Sequence, residues 1–223
     1  MSVITTPIPL PQPATTPTHV DPFTRRLSYV SITPGNLDIL KALNSKLFPV
    51  PYPDAYYAVT MRPELAKFCL LIYLDNVPVG QVTCTFKPSE REGETKLYWM
   101  LMGVLPEYRG HGIGGCACQT IMNAVAEHNH RLKTLRAGAL NYSPQKIGAD
   151  ESKGDAIERL SAYPISTQFM HVYVLNTGAR RLYECFGFTE TKRIDNFYRR
   201  RGPEDKAIKD AWLLEKRVEL VKE

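Results

Sequence analysis

The stretch Tyr98-Trp99-Met100-Leu101-Met102-Gly103-Val104-Leu105-Pro106-Glu107-Tyr108-Arg109-Gly110-His111-Gly112-Ile113-Gly114-Gly115 decides the fold. It reads as an apolar strand that turns through an Arg-x-x-Gly-x-Gly loop into a helix. Gly110, Gly112, Gly114 and Gly115 let the main chain take up positive φ and come close to a ligand. The helix beginning near Gly114 adds N–H groups that face an anion with partial positive charge. The run is therefore a candidate cradle for a pyrophosphate, although taken alone it is also an ordinary glycine-rich turn.

Two familiar phosphate loops do not fit. A P-loop needs Lys and then Ser or Thr after its last glycine, whereas Gly115-Cys116-Ala117-Cys118 follows here. A dinucleotide-binding loop needs Gly-x-Gly-x-x-Gly and a later acidic residue, but the spacing here is Gly110-x-Gly112-x-Gly114 behind Arg109. A second run, Met170 to Phe188, is an alternating apolar strand followed by Asn176 at a helix cap. The short helix then carries Ala179, Leu182, Tyr183 and Phe186 and is stopped by Gly187.

These two runs, in this order, resemble the GNAT N-acetyltransferases, whose cofactor loop has the signature Arg/Gln-x-x-Gly-x-Gly/Ala. The resemblance implies an α/β chain with the GNAT acyl-CoA N-acyltransferase fold: a central mixed, mostly antiparallel sheet with flanking helices. Within that family the chain is most similar to the branch of the NatE catalytic subunit, over about residues 27 to 218. The matching stretches include Ile32-Thr33-Pro34, Phe48-Pro49-Val50 with Tyr52, Glu64-Leu65-Ala66-Lys67, Leu97-Tyr98 with Met100, Phe169-Met170 before His171, and Phe197-Tyr198. Two departures stand out: Phe197 lies where the branch has the first of two tyrosines, and Arg201 replaces an aliphatic residue.

The resemblance implies acetyl-CoA as cofactor, held by Met102, Val104, Arg109, Gly110, Gly112, Ile113, Gly114, Gly115, Asn176 and Tyr183. It implies Tyr98 and His171 as the groups that deprotonate an attacking amine through an ordered water, and Tyr183 as the group beside the cofactor sulfur. Phe48, Pro49, Val50, Tyr52, Tyr98, Met100, His171, Phe197 and Tyr198 would form a slot for the first two side chains of a protein N-terminus, Met followed by a hydrophobic residue. The chemistry suits these residue types, because an α-amine has a pKa of roughly 7.7 to 8.0 and an imidazole titrates close to neutrality. Taken singly, His171 is also a plain strand histidine, Tyr183 a core aromatic and Asn176 a helix cap.

Further implied partners are the N-termini of nascent proteins and the NatA acetyltransferase complex, with the ribosome reached through it. Other readings are a catalytically weak subunit that docks on NatA, or an acetyltransferase for lysines or small amines. The last requires acidic residues near a long slot, and the proposed wall has none.

Bulk properties narrow the class. A chain of 223 residues with 43% hydrophobic content can bury one core. Residues 1–24 are rich in Pro and Thr and read as a disordered tail, leaving 25–223 as the catalytic domain. There is no secretory n-region and no apolar run of membrane-spanning length, so a cytoplasmic protein without a membrane partner is expected. Five cysteines do not form a secreted framework, and Cys116-x-Cys118 lacks further metal ligands at usable spacing, so no metal is expected. A net charge of +5 is too weak to argue for nucleic acid, and Arg199-Arg200-Arg201 reads as a solvated hairpin end or a docking patch.

Along the chain, Leu27 to Ile32 reads as a strand and Thr33-Pro34 starts a helix with Leu37, Leu40, Leu43 and Leu47 on one side. Phe48 to Tyr57 reads as a stiff aromatic loop. Phe68 to Leu74 and Val77 to Phe86 form a hairpin through Asp75-Asn76, and Lys96 to Val104 follows as a strand. The next helix is expected to end near His128, with a polar insertion over about 131–164. A final hairpin is expected between 196–201 and 211–218.

Overall fold

A computed structural model describes residues 26–138, 153–198 and 209–220. The Pro/Thr-rich tail, the middle of the expected insertion and Arg199 to Arg201 lie outside the described residues. Among the described residues, seven strands form one sheet in the order β1-β2-β3-β4-β5-β7-β6. These are β1 (Leu27–Ser31), β2 (Cys69–Leu74), β3 (Val77–Pro88), β4 (Thr95–Val104), β5 (Ile165–Tyr173), β6 (Thr189–Ile194) and β7 (Ala211–Arg217). Every neighbouring pair is antiparallel except β4 and β5, which run parallel.

The β2–β3 hairpin turns at Asp75 and Asn76, with φ of 46° and 66°. Two successive left-handed residues are what a two-residue hairpin loop needs to match the twist of its strands, and Asp and Asn tolerate them. One irregularity in the next ladder matters more. Thr83 faces Leu101 and Cys84 faces Trp99, so Met100 is an extra residue, a bulge in β4. A bulge bends its strand and sharpens the local twist. The parallel ladder between β4 and β5 runs from Thr95/Ile165 to Trp99/Met170, and beyond it the two strands line opposite sides of a cavity.

Helices cover both faces. A Cβ built on Gly103 would lie 3.0 Å from Leu47, at the end of α1 (Leu37–Leu47). Its neighbour Met102 instead brings its sulfur 4.0 Å from Cys118, on α3 (Ile113–Gly138). Adjacent strand residues point to opposite faces, which puts α1 and α3 on opposite sides of β4. The α1 side also holds α2 (Asp54–Thr60), whose Tyr56 hydroxyl is 3.1 Å from that of Thr83.

Several boundaries differ from the sequence reading. The stiff loop ends at Pro53, and Asp54 opens α2. Three prolines exclude helix up to that point, but an acidic first turn and a Pro-free stretch then allow it. Helix α3 continues past His128 to Gly138 and buries Leu132. Helix α4 (Lys153–Leu160) buries Ile157 and Leu160 in the main core, and β5 starts at Ile165. The polar composition of 131–164 thus conceals amphipathic ends, whose few apolar side chains are placed to face inward. The last hairpin is β6 with β7, so its first arm is Thr189–Ile194 and not 196–201. Gly187 at φ 79° ends the preceding helix early enough for Thr189 to enter the sheet, and Asn196 at φ 52° breaks the strand after Ile194.

Ile157 is 5% exposed and Val77 is 48% exposed. Ile157→Ala is expected to lower unfolding stability by about 2–4 kcal/mol through lost burial and a cavity, and Val77→Ala by less than about 0.5 kcal/mol. Chemical denaturation of both variants checks this, and equal midpoints would show that α4 is not part of the cooperative core.

Candidate active site

Where β4 and β5 part, a cavity of about 1000 Å3 opens. Its floor is the run Met100 to Gly103 on β4, facing Met170 to Tyr173 on β5. One wall is Leu47, Phe48, Pro49, Val50 and Tyr52, which follow from the end of α1. The opposite wall is Phe197 and Tyr198, beside Lys209. At the far end lie Arg109, Asn176, Ala179 and Tyr183.

At the aromatic end, His171 Nδ1 and the Tyr98 hydroxyl are 3.2 Å apart. Burial pushes the His171 imidazole below its ordinary value and the Tyr98 phenol above its own. Both shifts favour the neutral forms, as expected in a site lined by rings and apolar side chains. Tyr52 and Tyr198 are pushed up to about 12 each, again mainly by burial. The rings brace one another: Phe48 meets Tyr52 edge-on at 5.9 Å and Tyr98 stacks on Phe169 at 4.9 Å. At the other end, burial raises the Tyr183 phenol strongly, so its proton is firmly held.

The loop after β4 divides its glycines between two tasks. Gly110 and Gly112 have φ of 84° and 76°, a region that side chains rarely adopt. Gly114 and Gly115 lie in α3, where a Cβ on Gly114 would come 3.2 Å from Leu182 and one on Gly115 would come 3.9 Å from Phe186. The smallness of Gly114 serves the packing of α3 against α5 (Thr177–Cys185), whereas Gly115 has room for a Cβ in ordinary contact. Arg109 donates from Nε to the carbonyl of Val104 at 2.9 Å, which ties the loop to the strand end. Asn176 caps α5, its side-chain oxygen accepting the Ala179 N–H at 3.1 Å.

Of the residues named from the sequence, Phe48, Pro49, Val50, Tyr52, Tyr98, Met100, Met102, Arg109, His171, Asn176, Tyr183, Phe197 and Tyr198 come together on this cavity. Val104 and the loop glycines are not among the residues that line it, and the Ile113 side chain is 2% exposed in a smaller core cluster. Leu47, Leu101, Tyr173 and Lys209 line the cavity but were missed. Tyr173 could have been found, because it lies two residues beyond His171 and so on the same strand face. Lys209 could not, since it arrives from a remote segment. Among the described residues no group of three or more His, Cys, Asp or Glu side chains is placed to hold a metal, and no helix is long and apolar enough to cross a membrane.

The chain has relatives among known proteins. The sequence model of the acetyltransferase (GNAT) family matches residues 37–143. The probable N-acetyltransferase san of Drosophila melanogaster is 30% identical over 175 residues, 78% of this chain and 74% of its own length. N-alpha-acetyltransferase 50 of Danio rerio is 26% identical over 180 residues, 81% of this chain and 84% of its own. Among solved structures, Arabidopsis thaliana Naa50 in complex with the bisubstrate analogue CoA-Ac-MVNAL superposes with a TM-score of 0.63 at 26% identity, covering 86% of this chain and 99% of that one. The chain belongs to the GNAT acetyltransferase family. Two of these relatives carry the N-alpha-acetyltransferase 50 name, in agreement with the NatE resemblance of the sequence.

Asn176→Ala removes a cap from a nine-residue helix that carries Tyr183. It is expected to lower stability by about 1 kcal/mol, read as a drop of a few degrees in Tm. A Tm equal to that of the parent would show the cap to be dispensable.

Proposed function

We propose that this chain acetylates the α-amine of protein N-termini from acetyl-CoA, preferring Met followed by a hydrophobic residue, by direct transfer in a ternary complex. The observation that carries the reading is the contact of His171 Nδ1 with the Tyr98 hydroxyl, set between an aromatic slot and a glycine loop. The Arabidopsis relative supports it, because the analogue in that structure joins CoA to a peptide that begins Met-Val.

The cofactor end fits an acyl-CoA. The left-handed Gly110 and Gly112, the N-terminus of α3 and the Arg109 guanidinium suit a pyrophosphate. Beyond Trp99 the β4 main chain borders the cavity and suits the amides of a pantetheine arm. When bound, acetyl-CoA supplies the thioester carbonyl that the amine attacks. The remaining work falls to side chains. At pH 7 a depressed His171 is neutral and has a lone pair for the ammonium proton, directly or through one water. With Nδ1–H donating to the Tyr98 oxygen, Nε2 accepts; with the phenol donating to Nδ1, the phenol oxygen accepts. Tyr183 keeps its proton at neutral pH and is the donor on the sulfur side.

The rings of Phe48, Tyr52 and Tyr198 make a wall suited to a thioether, which is apolar, flexible and attracted to aromatic edges. Under the same reading, nascent chains in the cytoplasm are the substrates and a NatA complex is the partner that brings the enzyme to the ribosome.

Tyr98→Phe and His171→Ala are expected to lower kcat by about a hundredfold to ten-thousandfold while acetyl-CoA affinity, read by calorimetry, stays near that of the parent. In the parent, kcat/KM should fall as pH drops through a value below the ordinary ~6.5 of histidine, since protonation removes the lone pair. Unchanged turnover in both variants would remove the pair from the mechanism.

A peptide beginning Met-Leu is expected to exceed one beginning Ser-Glu by at least tenfold in kcat/KM, because each buried apolar side chain is worth roughly 1.5–3 kcal/mol. Equal values for the two peptides would refute the specificity and favour a lysine or small amine as acceptor.

A further inference from the structure

The imidazole of His171 does not merely border the aromatic slot. It lies nearly parallel to the ring of Phe197, with centroids 4.1 Å apart and 18° between the planes. Most other ring pairs around the cavity meet edge-on, among them Phe197–Tyr198 at 86° and Tyr173–Tyr198 at 87°. A stacked ring covers a whole face of its neighbour and resists rotation out of plane, whereas an edge contact covers only part of it. The other member of the pair has the same treatment, with Tyr98 stacked on Phe169 at 25°. The hydrogen-bonded pair is thus bracketed by two flat, apolar faces.

Phe197 is held where it stands by main-chain ties. The Asn196 N–H donates to Asp210 Oδ1 at 2.9 Å, and the Tyr198 N–H donates to the Lys209 carbonyl at 2.9 Å. These bonds flank Phe197 on both sides and join the segment after β6 to the residues that lead into β7. β7 itself pairs with β5 and places Leu213 opposite His171. Folding of the β5–β7–β6 edge therefore brings the Phe197 main chain to the side of His171.

We infer that Phe197 is a positioning residue: its ring fixes the plane of the His171 imidazole, so that Nδ1 stays on the Tyr98 hydroxyl, and screens one face of it from water. The inference rests on the function proposed above. It also explains why phenylalanine suffices here in place of tyrosine, since stacking needs the flat ring and not the hydroxyl. The same ring is 37% exposed and lines the cavity, so a peptide seated against it completes the exclusion of water from the base. The titratable groups that share the cavity with the imidazole are Tyr52, Tyr98, Tyr173, Tyr198 and Lys209, with Tyr183 and Arg109 at the far end. Among the described residues no carboxylate lines it, so none of them offsets the removal of one face of cover.

The test uses the full chain with Phe197→Leu, which keeps apolar bulk but removes the flat face, and with Phe197→Tyr, which keeps the face. The titration of the His171 ring is followed by NMR without cofactor or peptide, and the kcat/KM pH profile is measured with a Met-Leu peptide. In Phe197→Leu the His171 titration should move up toward the ordinary ~6.5. The acid limb of the profile should move with it, and kcat should fall several-fold more than KM rises. Phe197→Tyr should return both to parent values. A His171 titration in Phe197→Leu identical to that of the parent overturns the inference. A titration that moves while the pH profile stays fixed upholds the positioning role and instead removes His171 as the base. Because Phe197 is partly exposed, the leucine variant should melt within a few degrees of the parent.

Discussion

Everything in this molecule depends on the point where two parallel strands stop pairing. β4 and β5 share a ladder as far as Trp99 and Met170, and the junction is tied beneath by the Trp99 indole N–H, which donates to buried Gln168 at 3.2 Å. The extra residue at Met100 then bends β4 within its antiparallel ladder to β3. The result is a cleft at the carboxyl ends of two parallel strands, where ligands commonly bind in sheets of this kind. The glycine loop and the start of α3 follow directly from the end of β4, so an anion-binding helix terminus is delivered to one end of the cleft.

Burial of the tyrosines and the histidine along the cleft tunes its ionisable groups in a consistent way. Burial is the first cause of the depressed His171 and of the raised Tyr98, Tyr52, Tyr198 and Tyr183. A neutral imidazole accepts protons and a protonated phenol donates them. The proposed division between a proton acceptor at one end and a donor at the other therefore needs no buried carboxylate. The same burial strengthens the His171–Tyr98 hydrogen bond, because the dielectric around buried groups is low.

The outer shell shows how polar composition can mislead. The stretch 131–164 is rich in charges, yet Leu132, Ile157 and Leu160 are buried, and Arg62 pairs with Glu64 while lying within ion-pair distance of Glu158 on α4. The long contact to the exposed Glu158 contributes little stability by itself. The buried aliphatic side chains are what attach α4 to the sheet. Helix α3 is similarly mixed: polar outside, with Cys118, Ile121 and Val125 inside.

The sequence by itself determined the order of most elements and the residue types that meet at the cavity. Alternating apolar runs, the Asp75-Asn76 turn, the glycines after β4 and the Asn176 cap are local signals, since each depends on the φ preferences or hydrogen bonds of a few neighbouring residues. Tertiary structure alone decided what is non-local. The Met100 bulge is visible only against the register of β3, and the small size of Gly114 is explained only by Leu182 on another helix. The arrival of Lys209 and the stack of Phe197 on His171 require β7 to carry the chain back beside β5. No window of sequence contains both partners of these contacts, so their geometry is set by how the strands pair and not by the residues that precede or follow them.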